Sequence, residues 1–250
     1  MDPNSLKALQ GAAGGGSEPY EGAIAVVHYS NPYISVYPWS SGFGTKYADP
    51  STLPTGDGRG VAFSPDGADL AVAHTTSPYI TVYPWSSGFG TKYSDPSTLP
   101  TGNGLAVAFS PDGADIAVAH GTSPYVSVYP WSSGFGTKYA DPSTLPTGTG
   151  RKIAWSPDGA DLAVGHSTSP YISVYPWSSG FGTKYSNPST LPAGTGKVEA
   201  FSPDGATIAV AHNTSPYVSV YPWSSGFGTK YADPATTPTD TGRGVAFSPA

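Results

Sequence analysis

The sequence predicts an all-β, five-bladed β-propeller with four antiparallel strands per blade, and three observations predict it. A 46-residue unit recurs so closely that Trp39, Trp85, Trp131, Trp177 and Trp223 keep one interval. All five histidines (His28, His74, His120, His166 and His212) keep the same one. Within a unit, apolar residues alternate with period two, as in half-buried strands. The 32 Gly and 27 Pro recur at fixed places between those runs, where turns belong. A unit this short cannot bury its own apolar faces, so its copies must stack or close on one another.

The elements follow in order. In Val61-Ala62-Phe63-Ser64, Val61 and Phe63 share a face, which gives the inner strand. Ser64-Pro65-Asp66-Gly67 is a tight turn: Pro presets φ, Asp accepts the next position and Gly tolerates positive φ. Leu70-Ala71-Val72-Ala73-His74 is the second strand, with small Ala on one face. After the turn Thr75-Thr76-Ser77-Pro78, Tyr79-Ile80-Thr81-Val82-Tyr83 is the third. Pro84-Trp85-Ser86-Ser87-Gly88-Phe89-Gly90 is a longer turn, and Thr91-Lys92-Tyr93 is read as a short, polar outer strand. Inner strands are expected at 61–64, 107–110, 153–156, 199–202 and 245–248. The first blade begins at its second strand, Ala23 to His28. Val245 to Ser248 is therefore expected to supply its missing inner strand, so that both termini complete one blade and no edge stays open. This divides the chain into an N-terminal peptide, 1–22, and a single propeller, 23–250.

Composition narrows the function. A net charge of -6 with only 11 basic residues disfavours nucleic acid. The absence of Cys removes disulfides, thiolate metal sites and Cys nucleophiles. No run is long enough to span a bilayer, and the N-terminus lacks the basic lead and apolar stretch of a secretory signal.

The phrase Val61 to His74 followed by Tyr79 to Trp85 resembles the WD40 repeat over residues 23–250, most specifically in its Ser-Pro-Asp-Gly turn. The resemblance implies a propeller scaffold. The departure is Tyr83-Pro84, and its equivalents Tyr37-Pro38, Tyr129-Pro130, Tyr175-Pro176 and Tyr221-Pro222, where that family has Trp-Asp. Its hydrogen-bonded tetrad therefore does not carry over. The units also resemble tandem propeller blades of bacteriophage and environmental bacterial structural proteins. That likeness implies a structural role.

Candidate sites lie where the copies disagree, and disagreement gathers at the end opposite the Ser-Pro-Asp turns. Arg59, Arg151, Lys197 and Arg243, with Lys152 beside them and Glu199 close by, are expected around a channel mouth. There they could hold an anion or an acidic partner segment, or simply keep the opening wet. At the other end, Trp39, Trp85, Trp131, Trp177 and Trp223 with Phe43, Phe89, Phe135, Phe181 and Phe227 form either an aromatic rim for docking or wedges between blades. The wedge role is what a propeller needs. The histidines read as hydrogen-bonded core or rim residues rather than metal ligands, and no cofactor is expected.

Outside the repeat, Ser5 to Gln10 can form a short helix with Leu6 and Leu9 on one face, tethered by a Gly-rich run. It reads as an anchor through which residues 1–16 would join other subunits. Five equal units offer no asymmetric catalytic constellation. The expected function is accordingly a non-enzymatic structural or display protein of a bacteriophage virion, exposed on the particle or an appendage and contacting a protein or receptor. The alternatives are a multivalent lectin binding cell-surface glycan, which five-bladed lectins resemble in blade number, and a consensus propeller without a ligand.

Overall fold

In the computed structural model, which describes residues 21–248, every regular element is a strand. The first sheet has two strands, β1 (Glu21–Val27) and β2 (Ile34–Ser40). The second has β3 (Gly58–Phe63), β4 (Asp69–His74) and β5 (Ile80–Pro84), and the third β6 (Gly104–Phe109), β7 (Asp115–His120) and β8 (Val126–Pro130). The fourth is β9 (Gly150–Trp155), β10 (Asp161–His166) and β11 (Ile172–Pro176). The fifth is β12 (Gly196–Phe201), β13 (Thr207–His212) and β14 (Val218–Pro222). Each is an antiparallel meander in chain order. The fold is thus all-β and of propeller type, with five successive sheets.

The turn chemistry explains the hairpins. Gly67 takes φ +72, the Ser64 hydroxyl donates to Asp66 Oδ1 at 2.6 Å, and Asp69 N donates back to Ser64 Oγ at 2.9 Å. These bonds satisfy the groups that a two-strand reversal would otherwise leave bare. The long turn closes through Gly90 N donating to Pro84 O at 2.8 Å and a bridge between Trp85 and Phe89.

The middle strands β4, β7 and β10 are wholly enclosed: Leu70, Ala71, Val72 and Ala73 are all 0% exposed. Ile80 and Val82 of the second sheet pack on Val107, Phe109, Ile116 and Trp131 of the third. The Ala faces let sheets approach closely while branched residues fill the gap. Four of the five histidines are buried core residues, and His28 is half-buried. His74, His120 and His166 are buried, their Nε2 atoms 2.9–3.1 Å from Thr81, Ser127 and Ser173 hydroxyls. Burial lowers each of the three to about 4. Among the described residues no cluster of His, Asp and Glu could hold a metal ion.

An aspartate ties the second, third and fourth sheets each to the next. Asp115 Oδ2 accepts Trp177 Nε1 at 2.8 Å from the following sheet, and its Oδ1 accepts the Tyr139 hydroxyl at 2.9 Å. The Tyr139 and Trp177 rings meet edge to face at 5.1 Å. Asp69 and Asp161 repeat the arrangement with Trp131 and Trp223. Asp115→Ala leaves two enclosed donors without an acceptor, so it is expected to cost about 2–4 kcal/mol. Thermal unfolding would show it. Ala at the exposed Asp112 is expected to cost far less.

Two expectations need correction. The outer segment at Thr91-Lys92-Tyr93 is not a fourth strand. It is held by Tyr93 N donating to Val82 O at 3.0 Å. Polar anchors, Lys92 to Asp95 and the Tyr93 hydroxyl to Asp69, fix it in place of a ladder. Nor does Val245 to Ser248 complete the first sheet. Residues 241–248 form no strand, and β1 pairs only with β2. The sheets pack in chain order, β1 on β3, β3 on β6, β6 on β9 and β9 on β12, and no comparable packing joins the fifth sheet to the first. The inner strands also begin earlier than expected, at Gly58 rather than Val61 in the second sheet.

Candidate functional site

Each inner strand opens on a β-bulge. Gly58 faces His74 and Gly60 faces Ala73, so Arg59 is the extra residue. Leu105, Arg151 and Lys197 hold the same place in their sheets. A bulged residue is released from the ladder and its side chain re-aimed. Gly fits before it because a Cβ on Gly150 or Gly196 would collide with the carbonyl oxygen of Tyr125 or Tyr171. Arg59, Arg151 and Lys197 are therefore at positions the backbone frees from pairing, whereas Lys152 is paired with Gly165.

The structure gathers some of these cations and separates others. Lys197 is held below the usual lysine range, first by partial burial and then by the positive charges of Arg151 and Arg243. The charges of Arg151 and Arg243, from the neighbouring inner segments, therefore reach Lys197, and none of the three forms an ion pair among the described residues. Arg59 lies apart: it pairs with Asp57 at 3.3 Å and stacks over the Tyr29 ring at 4.3 Å. Leu105 interrupts the run between Arg59 and Arg151.

The inner strand that carries Lys197 also carries a group whose importance the sequence reading missed. Glu199 occupies the inner-strand position held elsewhere by Val61, Val107 and Ile153, and is only 3% exposed. Gly165 N donates to its Oε1 at 2.9 Å, while Oε2 is enclosed without a hydrogen-bond partner among the described residues. Burial pushes the carboxyl up to about 7, against the opposing pull of the Gly165 N–H and the Lys152 charge. The equivalent partners in the preceding sheets are Ala73 with Val107 and Ala119 with Ile153. Where Glu replaces the branched residue, Gly replaces Ala, because a Cβ on Gly165 would overlap Glu199 Oε2. That internal covariation was the available signal.

The aromatic positions sit between sheets. Trp131, Trp177 and Trp223 are buried, and each meets the Phe of its own turn edge to face at about 5 Å. Phe43 is 66% exposed, at the start of the array. Leu6 and Leu9 lie outside the described residues.

No family model and no curated protein matches the chain. Solved structures match its fold. A protein from Bacteroides uniformis described as a 6-phosphogluconolactonase has TM-score 0.67 and 19% identity over 93% of this chain and 72% of its own. The periplasmic gluconolactonase of Pseudomonas aeruginosa has TM-score 0.62 and 18% identity over 86% and 68%. Hydrazine synthase of Kuenenia stuttgartiensis gives 0.58 and 18% over 77% of this chain, which spans 58% of that one. These likenesses define a propeller-type protein. The expectation of a non-enzymatic virion display protein is corrected by them: the neighbours carry enzyme names, two of them lactonases, and none names a phage particle or a lectin. The equality of the five units misled, since the cations and Glu199 break it.

Proposed function

We propose that the protein is an enzyme acting on a small anionic sugar derivative, in the first instance a lactone, bound at the cationic entry end of the last two sheets. One observation carries the reading: the positive charges of Arg151 and Arg243 reach Lys197, and none of the three forms an ion pair among the described residues. Such a cluster attracts carboxylate or phosphate and neutralises it on binding. Glu199, the one inner-strand carboxyl, changes protonation near neutrality, as a general base for lactone hydrolysis must. Lys152 lies close enough to bias it. The lactonase names of two neighbours choose the substrate to try first.

The test is hydrolysis of 6-phosphogluconolactone and glucono-lactone, corrected for the spontaneous rate, with calorimetric titration of 6-phosphogluconate. Saturable hydrolysis and binding are expected. The Arg151→Ala, Lys197→Ala double variant should weaken binding at least tenfold, and Glu199→Gln should lower kcat more than it raises KM. Neither binding nor accelerated hydrolysis in the intact protein would overturn the reading.

A further inference from the structure

The outer segment carries one lysine per sheet, and the copies differ in what holds it. Gly-Thr-Lys-Tyr recurs at 44–47, 90–93, 136–139, 182–185 and 228–231. In four copies the residue three places after the lysine is an aspartate that forms an ion pair with it. Lys46 pairs with Asp49, Lys92 with Asp95, Lys138 with Asp141 and Lys230 with Asp233. In the fourth sheet Asn187 stands at that place. Lys184 Nζ donates to Asn187 Oδ1 at 2.6 Å and to Tyr185 O at 3.2 Å. It forms no ion pair among the described residues.

The exchange keeps the geometry and removes a charge. Tyr185 N donates to Val174 O at 3.0 Å, as Tyr93 N and Tyr139 N do to Val82 O and Val128 O, so the segment runs the same course. Lys92, Lys138, Lys184 and Lys230 are all half-buried, so exposure does not separate them. An amide oxygen accepts the hydrogen bond but brings no counter-charge, and so holds an ammonium less firmly than a carboxylate does. Burial, meanwhile, holds Lys184 below the usual lysine range. The buried histidines reflect the difference. His74, His120 and His212 each lie in the opposing fields of an outer lysine and its aspartate, and His166 lies in that of Lys184 alone. Because the free amine and not the ammonium is the nucleophile, Lys184 is the most reactive of these copies. Lys197, also held low, belongs to the cationic site already described.

We propose that Lys184 is a covalent modification site, the outer-segment lysine that small activated esters and lactones acylate first. The amine nitrogen attacks the acyl carbon and forms the C–N bond. The bond from that carbon to the leaving oxygen breaks, and the oxygen takes up the proton that the nitrogen gives off. With a lactone the ring opens and the whole molecule stays on the lysine as a hydroxy amide, with no oxidant or other co-reactant. Asn187 also suits the product. Acylation removes the lysine charge, which would strand Asp95, Asp141 or Asp233 without a counter-ion but leaves the neutral Asn187 undisturbed. The site does not depend on the proposed hydrolysis, since the amine attacks the lactone unaided.

The full-length protein is treated at low conversion with N-hydroxysuccinimidyl acetate and, separately, with glucono-lactone, and each lysine is followed by peptide mass spectrometry. The sequences after the five lysines differ enough to be read one by one. Lys184 is expected to react roughly threefold to fivefold faster than Lys92, Lys138 or Lys230, the range that loss of an exposed ion pair allows. Asn187→Asp, which restores the residue of the other copies, should bring Lys184 down to their rate. Asp141→Asn should raise Lys138 to the rate of Lys184. Equal rates at the four lysines with either reagent, or an excess at Lys184 that survives Asn187→Asp, would overturn the proposal.

Discussion

Gly165→Ala is expected to destabilise the protein by about 2–3 kcal/mol, as overpacking and a lost hydrogen bond to a charged acceptor do. That is a fall of roughly 5–10 °C in Tm for a domain of this size. Elsewhere in the same position Ala is native: Ala73 and Ala119 are fully buried. Only Gly165 faces a carboxylate, and the added Cβ would overlap Glu199 Oε2. Glu199 Oε1 also accepts the Gly165 N–H, so a carboxylate displaced by the new Cβ gives up that bond. Adding Glu199→Val restores the pairing of small and branched residues found in the preceding sheets, and should return most of the lost stability. The coupling between the two substitutions should exceed about 1 kcal/mol, as expected for residues in contact. Additive effects in thermal or denaturant unfolding would show that the two side chains do not share one space. The same double variant should abolish the proposed hydrolysis, which separates the role of Glu199 in packing from its role in chemistry.

The pair shows why the repeat disclosed the fold and hid the site. The Ser64-Pro65-Asp66-Gly67 turn and the alternation in Leu70 to His74 are local signals, and both were legible because turn chemistry and strand period act within a few residues. The outer segment at Tyr93 misled because its extended sequence is fixed by a side-chain bond to Asp69 rather than by a ladder. Whether 245–248 meets β1 depends on the angle accumulated over five sheets, a quantity no short stretch of sequence encodes. Arg151 and Lys197 occupy bulges at successive strand entries, and the charge of Arg243 also reaches Lys197. Their spacing was visible, but their shared lack of acidic partners was not. Glu199 was noticed as a nearby charge. Its burial became legible only when set beside Gly165, 34 residues earlier and in the preceding sheet.

Acidification is expected to unfold the protein in the window set by its histidines. His74, His120 and His166 sit at about 4 in the folded chain against an ordinary 6.5, burial being the main cause. The unfolded chain therefore binds more protons between those values. Their stabilising contribution is whole above pH 6.5 and lost as pH falls through 4, at most about 3 kcal/mol each. Glu199 runs the other way. Its folded value, about 7 against 4.5, means that its contribution is whole below pH 4.5 and lost as pH rises through 7. Over pH 4.5–6.5 the carboxyl offsets one of the three histidines. His212, also held low by burial, adds to the histidine side, and replacing Glu199 with Val should steepen the loss of stability on acidification by about one proton at most. Asp112, Asp158 and Asp204, held below 3.8 chiefly by the Ser hydroxyls of their turns, titrate beneath this window and do not confuse it. Tm measured in half-unit pH steps checks both slopes. A Tm flat from pH 6.5 to 4.5 would mean that the buried imidazoles are reached by water and keep their ordinary affinity for protons.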